Sequence, residues 1–186
     1  MTIAATAIWR RLDTLGHDGC WLIQNELGWL VEGATVFIHF GLPAALRYAV
    51  QCDPSWETID GQVQGRIGDR TLAFAVARDG PQWVLNGTPV KGLEHLVDLD
   101  LSVTPATNLL QVRRKSGATG DRWNLPVAWL DIDRGTLEEL PQVYERRSEK
   151  TLWYEAPTVG YEGLLEIAEN GFIRRYPGLW ESETGA

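Results

Sequence analysis

Asp98 and Asp100 stand two residues apart in the densest polar stretch of the chain, Asp98-Leu99-Asp100-Leu101-Ser102-Val103-Thr104-Pro105-Ala106-Thr107-Asn108, which Arg113-Arg114 closes. On an extended strand Asp98, Asp100 and Ser102 share one face, and Leu99, Leu101 and Val103 share the other. Mutual repulsion between two such carboxylates can raise one pKa and so supply a general acid and a general base. The same spacing also suits a solvated strand face or an ion pair with the arginines that follow. Because no nucleophile or metal motif accompanies the pair, the ion pair is the favoured reading.

Other reactive constellations are sparse. His17, His39 and His95 are scattered, with no Cys or carboxylate at metal-ligand spacing to a second His, so no metal is expected. The chain has no Gly-x-Ser-x-Gly elbow, no Gly-rich phosphate loop and no dinucleotide fingerprint, and no cofactor is expected. His39, in the apolar run Val36 to Phe40, reads as a wall residue rather than a base. Asp131 and Asp133 lead into Arg134-Gly135 and are accounted for by turn chemistry. Glu138, Glu139, Glu145, Arg146 and Arg147 read as the charged face of strands near a sheet edge.

The elements that must position these groups are strands. From Thr58 to Ile67, Ile59, Gly61, Val63, Gly65 and Ile67 alternate with Thr58, Asp60, Gln62, Gln64 and Arg66, which predicts a strand with one solvated face. Leu72, Phe74 and Val76 alternate with Ala73, Ala75 and Ala77. Leu46, Tyr48, Val50 and Cys52 do the same against Arg47 and Gln51. Further strands are predicted at Gly19 to Gln24, Leu30 to Phe40, Gln82 to Leu85, Asn124 to Ile132, Thr136 to Glu145, Thr151 to Ala156, Tyr161 to Ile167 and Phe172 to Tyr176. Asp53-Pro54, Gly68-Asp69, Asp79-Gly80, Asn86-Gly87 and Asn170-Gly171 punctuate them as turns, so neighbours should pair antiparallel. Thr104-Pro105 resembles an N-cap with Pro at the first helical position, followed by a short helix over Ala106 to Gln111. The expectation is an all-β, mainly antiparallel chain forming one domain over residues 1–186. It is a strongly curved roll or open barrel of roughly eleven strands with a short helix. Gly61, Gly65 and Ala73, Ala75 and Ala77 would leave room on a face, either as a ligand cavity or as space that Trp and Leu from elsewhere fill.

The formal net charge of -8 disfavours nucleic acid and anionic membranes as partners. No run approaches the ~18 apolar residues of a membrane span, so integral membrane association is not expected. No secretory leader is read at the N-terminus. Cys20 and Cys52 lie in apolar strand-like surroundings and read as buried free thiols of a cytoplasmic protein. The nine tryptophans suit core filling, stacking on a sugar ring or covering an acyl chain.

The polar stretch also carries a resemblance. Asp98-Leu99-Asp100-Leu101, Thr104-Pro105-Ala106-Thr107-Asn108 and Arg113-Arg114 are similar to the central blocks of a bacterial family of putative glycolipid-binding proteins, first recorded as a domain of unknown function. Tyr48 to Trp56, Trp83 with Asn86-Gly87, Gln142-x-Tyr144-x-Arg146, and Asn170-Gly171 through Tyr176-Pro177 extend the likeness from about Trp21 to Trp180. The chain departs from the pattern at Gln111, where the family has Pro, and over Glu57 to Ile59, where it has a basic residue. The resemblance implies a spiral β-roll, similar in shape to bacterial lipoprotein carriers.

Together these readings favour a non-catalytic binding protein that holds a glycolipid or other amphipathic small molecule in its curved sheet. Tyr48, Trp56, Trp83, Trp129, Tyr144 and Trp153 are the candidate walls. Asp98, Asp100, Asn108, Arg113 and Arg114 are the candidate polar anchors. The alternatives are a small hydrolase or isomerase acting on a lipid or sugar through Asp98 and Asp100, and a protein-interaction module using exposed Trp and a sheet edge.

Overall fold

The computed structural model describes residues 1–115 and 117–183. The chain begins with a meander: β1 (Thr2–Arg11), β2 (Gly16–Asn25), β3 (Gly28–His39), β4 (Leu42–Cys52), β5 (Thr58–Ile67), β6 (Arg70–Asp79), β7 (Gln82–Leu85) and β8 (Thr88–Val90). Each pairs antiparallel with the next. Strict alternation explains the long strands. In β4, Ala44, Leu46, Tyr48 and Val50 are buried, while Ala45 and Arg47 between them are exposed. The Asn86-Gly87 turn joins β7 to β8 with both residues left-handed (φ 49° and 79°), as a two-residue hairpin requires.

The next segment holds β9 (Leu99–Leu101), α1 (Asn108–Arg114), β10 (Arg122–Asn124), β11 (Val127–Asp131) and β12 (Thr136–Leu140). A second meander follows: β13 (Val143–Ser148), β14 (Thr151–Ala156), β15 (Tyr161–Ile167), β16 (Ile173–Tyr176) and β17 (Trp180–Ser182). β17 returns to pair with β1, giving one 14-stranded sheet in the order β10-β13-β14-β15-β16-β17-β1-β2-β3-β4-β5-β6-β7-β8. Its ends, β8 and β10, do not pair with each other, so the sheet is open. An open twisted sheet of more than ~10 strands curls or splits unless something flattens it.

The central segment packs against the apolar face of the large sheet. Its strands form a small sheet, β12-β11-β9, with β9 parallel to β11. The Thr58 N–H donates to the Val97 carbonyl at 2.9 Å, and the Trp83 indole N–H donates to the Leu96 carbonyl at 3.2 Å. Leu99, Leu101, Leu109, Leu110 and Leu130 lie wholly within the core. A Cβ added at Gly61 would collide with Leu99, so the space left by that glycine is filled by a leucine from elsewhere.

The all-β, antiparallel architecture is as expected, with four corrections. Among the described residues there are 17 strands rather than about eleven, because β1 and several three-residue strands carry too little periodicity to be read. The runs Asn124 to Ile132 and Thr136 to Glu145 are each broken, at Pro126 and Pro141, where the missing N–H ends the ladder. The resulting halves belong to different sheets. The helix spans Asn108–Arg114 rather than Ala106 to Gln111, and i→i+3 bonds from Asn108, Leu109 and Leu110 precede it as tight turns. Finally, Gly61 and Gly65 face the core, whereas Ala73 and Ala75 pair with Gln64 and Gln62 on the opposite face.

Candidate functional site

The central segment brings six of the eleven candidate residues into buried hydrogen-bonded chains. Asp98, wholly buried, accepts from Arg114 Nε at 3.2 Å and from a second guanidinium nitrogen of Arg114. Burial raises its pKa, and Arg114 opposes the rise. Asp100 accepts from Gln142 Nε2 at 2.7 Å and from the Thr107 hydroxyl at 3.3 Å. Burial lifts its pKa to about 6 against these two donors. Asn108 Nδ2 donates to the Tyr144 hydroxyl at 2.8 Å, which donates on to Gln142 Oε1 at 3.2 Å. Thr107 therefore spends its hydroxyl on Asp100 and on the Leu101 N–H rather than capping α1. The sixth residue, Tyr48, accepts from Thr104 at 3.0 Å and donates to Asp18 Oδ1 at 2.8 Å.

The other five are dispersed. Trp83 is sealed in the core. Trp56 stacks on Trp29, with ring centroids 4.7 Å apart, and Arg113 lies 5.8 Å from its ring. Arg113 also donates to the Asn170 carbonyl at 2.5 Å. Trp129 is half-buried on β11 between Asp100 and Glu138. Trp153 is half-buried on β14, bonded to Glu155 at 2.9 Å under the Arg147 guanidinium. Among the described residues, no group of three His, Cys, Asp or Glu side chains is placed to hold a metal ion. His39 is held by Asp133 at 2.8 Å, and the Asp131 carboxylate accepts the backbone N–H groups of Asp133 and Arg134 as a turn residue.

An accessible concavity lies on the opposite face of β2 to β6. Register places three side-chain rows across it: Trp21, Glu32, Ala49, Gln62 and Ala75; then Gly19, Ala34, Arg47, Gln64 and Ala73; then His17, Val36, Ala45, Arg66 and Thr71. Successive rows are about 7 Å apart. Two hollows of about 400 and 570 Å³ open here, the first at Trp21, Glu32 and Gln62, the second at Val36, Ala45 and Thr71. Ala34, Arg47 and Gln64 line both, which makes them one groove. Small side chains create the hollow, and nothing lies within 4 Å of where a Gly19 Cβ would stand. Gly33 lets the Tyr48 ring lie against β3, since a Cβ there would collide with the Tyr48 hydroxyl. The Asp18, Tyr48 and Thr104 chain therefore runs directly under the groove floor.

The groove holds available polar groups. Among the described residues, the side chains of Glu32, Arg47, Gln62 and Gln64 make no hydrogen bond or ion pair with protein, and Arg47 is the one arginine so placed. Trp21 is 43% exposed beside them. A guanidinium can pair with a phosphate or carboxylate, amides and a carboxylate with hydroxyls, and an indole face with a sugar ring. The third row offers Val36 and Ala45 to an apolar chain. These groove residues were missed in the sequence because Arg47, Gln62 and Gln64 resemble an ordinary solvated strand face. The available signal was the run of alanines at outward positions 34, 45, 49, 73 and 75, where solvated strands usually carry longer polar side chains.

Comparison with known proteins agrees with this architecture. A crystal structure of a DUF1089 family protein from Pseudomonas aeruginosa superposes with a TM-score of 0.79 at 20% sequence identity, covering 89% of this chain and 91% of that one. At that identity the likeness shows the shared fold alone. No curated protein matches the chain. Residues 6–182 match the family described as "Putative glycolipid-binding", and the chain belongs to that family.

Proposed function

We propose that this protein is a non-catalytic binder of an amphipathic glycolipid, held in the groove across β2 to β6. The observation that carries the reading is the juxtaposition in one open groove of Trp21, four polar side chains without protein partners among the described residues, and the apolar side chains of Val36 and Ala45. The sugar would stack on Trp21 and hydrogen-bond to Glu32, Gln62 and Gln64. Arg47 would meet an anionic group, and an acyl chain would run over Ala34, Val36, Ala45 and Ala73. The combined hollow is of the size that small-molecule sites occupy, roughly 300–1,000 Å³. The family description supports the ligand class.

The hydrolase alternative would require Asp98 or Asp100 to reach a substrate. Both carboxylates are buried and engaged with Arg114, Gln142 and Thr107, which favours a structural role. Native mass spectrometry after incubation with a glycolipid extract tests the proposal. The expected result is a bound lipid on the parent and none on Ala34→Trp, whose added ring would fill the groove from an exposed position. Absence of uptake by the parent, or equal uptake by a folded Ala34→Trp, would overturn the site.

A further inference from the structure

Phe40 occupies a backbone position poorly suited to it. The β3–β4 hairpin turns on Phe40-Gly41, with φ angles of 48° and 81°, the same left-handed pair that the β7–β8 hairpin makes with Asn86-Gly87 at 49° and 79°. Left-handed backbone is disfavoured for a residue with a Cβ, and Asn and Gly tolerate it best. Phe40 nevertheless projects a ring that is 88% exposed and whose ring contact is with His39, at 4.4 Å between centroids. Packing gives no return for the strained position.

The neighbouring turn also exposes an apolar side chain. Leu15, between β1 and β2, is 81% exposed, and its carbonyl accepts the Ile38 N–H at 2.9 Å, which brings the two turns together. Ile38 and Val36, both exposed, follow on the groove face. An apolar path therefore leads from the Val36 end of the groove to the tips of two adjacent hairpins. Charges at this end are largely balanced, with Arg11 on Asp13 and both Arg70 and His39 on Asp133, so the acidity of the whole chain is not concentrated there. A neutral bilayer surface would meet no strong opposing field at the tips.

We propose that the β1–β2 and β3–β4 hairpin tips dock on a lipid bilayer, with Phe40 and Leu15 entering its interfacial region and the groove opening toward it. The orientation of the ligand path rests on the groove reading above. Apolar side chains placed beside a polar rim at one end of a molecule are a means of binding a membrane without spanning it. Among the described residues no helix is long and apolar enough to cross a bilayer.

The test is co-sedimentation of the full chain with phosphatidylcholine vesicles, alongside binding of a short-chain, water-soluble glycolipid. The parent should partition to vesicles, and Phe40→Asn combined with Leu15→Ser should weaken partitioning at least tenfold while leaving the soluble glycolipid bound as before. Phe40→Asn gives this turn the residue found at Asn86, so loss of folding is not expected to blur the result. Soluble glycolipid binding without vesicle binding by the parent would overturn the docking proposal and leave the groove standing. Tip-dependent vesicle binding without glycolipid binding would support docking and sink the groove. A concentration-dependent dimer abolished by Phe40→Asn, with no vesicle binding, would assign the tips to self-association and overturn the proposal.

Discussion

The two faces of β2 to β6 treat polar groups in opposite ways. Toward the core, Asp98, Asp100, Thr104, Thr107, Asn108, Gln142 and Tyr144 are buried, and each is hydrogen-bonded to another member of the interior. On the groove face, Glu32, Arg47, Gln62 and Gln64 have no protein partner among the described residues. A buried polar group without a partner costs about 1–3 kcal/mol, whereas one facing water costs little and remains free to bind. Residue type alone therefore does not mark a binding site. The dense Asp-rich stretch is engaged within the fold, and under the proposed function the sparser row of Arg and Gln would offer a ligand its unused donors and acceptors.

The largest effect should come from breaking the inner face. Arg114→Met would leave the wholly buried Asp98 carboxylate without its guanidinium, and removing one partner of a buried ion pair costs about 3–5 kcal/mol. Urea unfolding of the variant should show the unfolding free energy lowered by about that amount, with a correspondingly lower midpoint. Glycolipid affinity of the folded fraction should stay near that of the parent, since Arg114 is not among the residues lining the groove.

The next effect exploits the weak point of the inner face. Asp18 Oδ1 accepts from Tyr48, but Oδ2 is buried without a partner, and burial pushes the pKa up to about 7 against the help of Thr104, Tyr48 and Arg11. A folded pKa above the unfolded value means that the native state holds its proton more tightly. This group's contribution to stability is therefore fully present below about pH 4 and is lost as pH rises through about 7. The loss is on the order of a few kcal/mol. Asp18→Asn, which cannot ionise, should flatten the fall in unfolding free energy between about pH 4 and pH 7. An unchanged pH profile would show that Asp18 is already charged in the fold.

The sequence revealed the inner face better than the outer one, for a physical reason. Core strands announce themselves through alternation, so the bounds of β5 at Thr58 and Ile67 and of β14 at Thr151 and Ala156 are those read from pattern. Asp98 and its partner Arg114 stand in one polar stretch and could be read as a pair, whereas Asp100 with Gln142 and Asn108 with Tyr144 are joined only by the fold. The groove has no such local signature. Trp21, Glu32, Arg47 and Gln62 come from four strands, and only register brings them into adjacent rows. Pairing between β1 and β17, which joins the two meanders, is likewise a long-range event that no local pattern records.

A smaller effect tests the groove side directly. Trp21→Ala removes an indole that is 43% exposed, so the melting temperature should change little, by less than about 0.5 kcal/mol in stability. If the indole stacks on the sugar, affinity for a glycolipid should fall by about 1–2 kcal/mol, roughly tenfold by isothermal titration calorimetry. The pairing of lost binding with kept stability is the inverse of what Arg114→Met should show. Obtaining the same response from both variants would remove the division between the faces.

The smallest effect concerns the cost of the exposed hairpin. Asn in a left-handed turn position is favoured over a bulky residue by about 1 kcal/mol, and the Phe40 ring, being 88% exposed, loses little packing on removal. Phe40→Asn should therefore raise the unfolding free energy by about that amount, measured by urea denaturation in the absence of lipid. The reciprocal change, Asn86→Phe, should lower it by a similar amount or more, because the Asn86 side chain also accepts the Ala75 N–H at 2.8 Å. Stabilisation at position 40 accompanied by loss of vesicle binding would mean that the turn gives up stability for function. If Phe40→Asn instead destabilises the chain, the ring has a folding role and the strain argument for the tip fails.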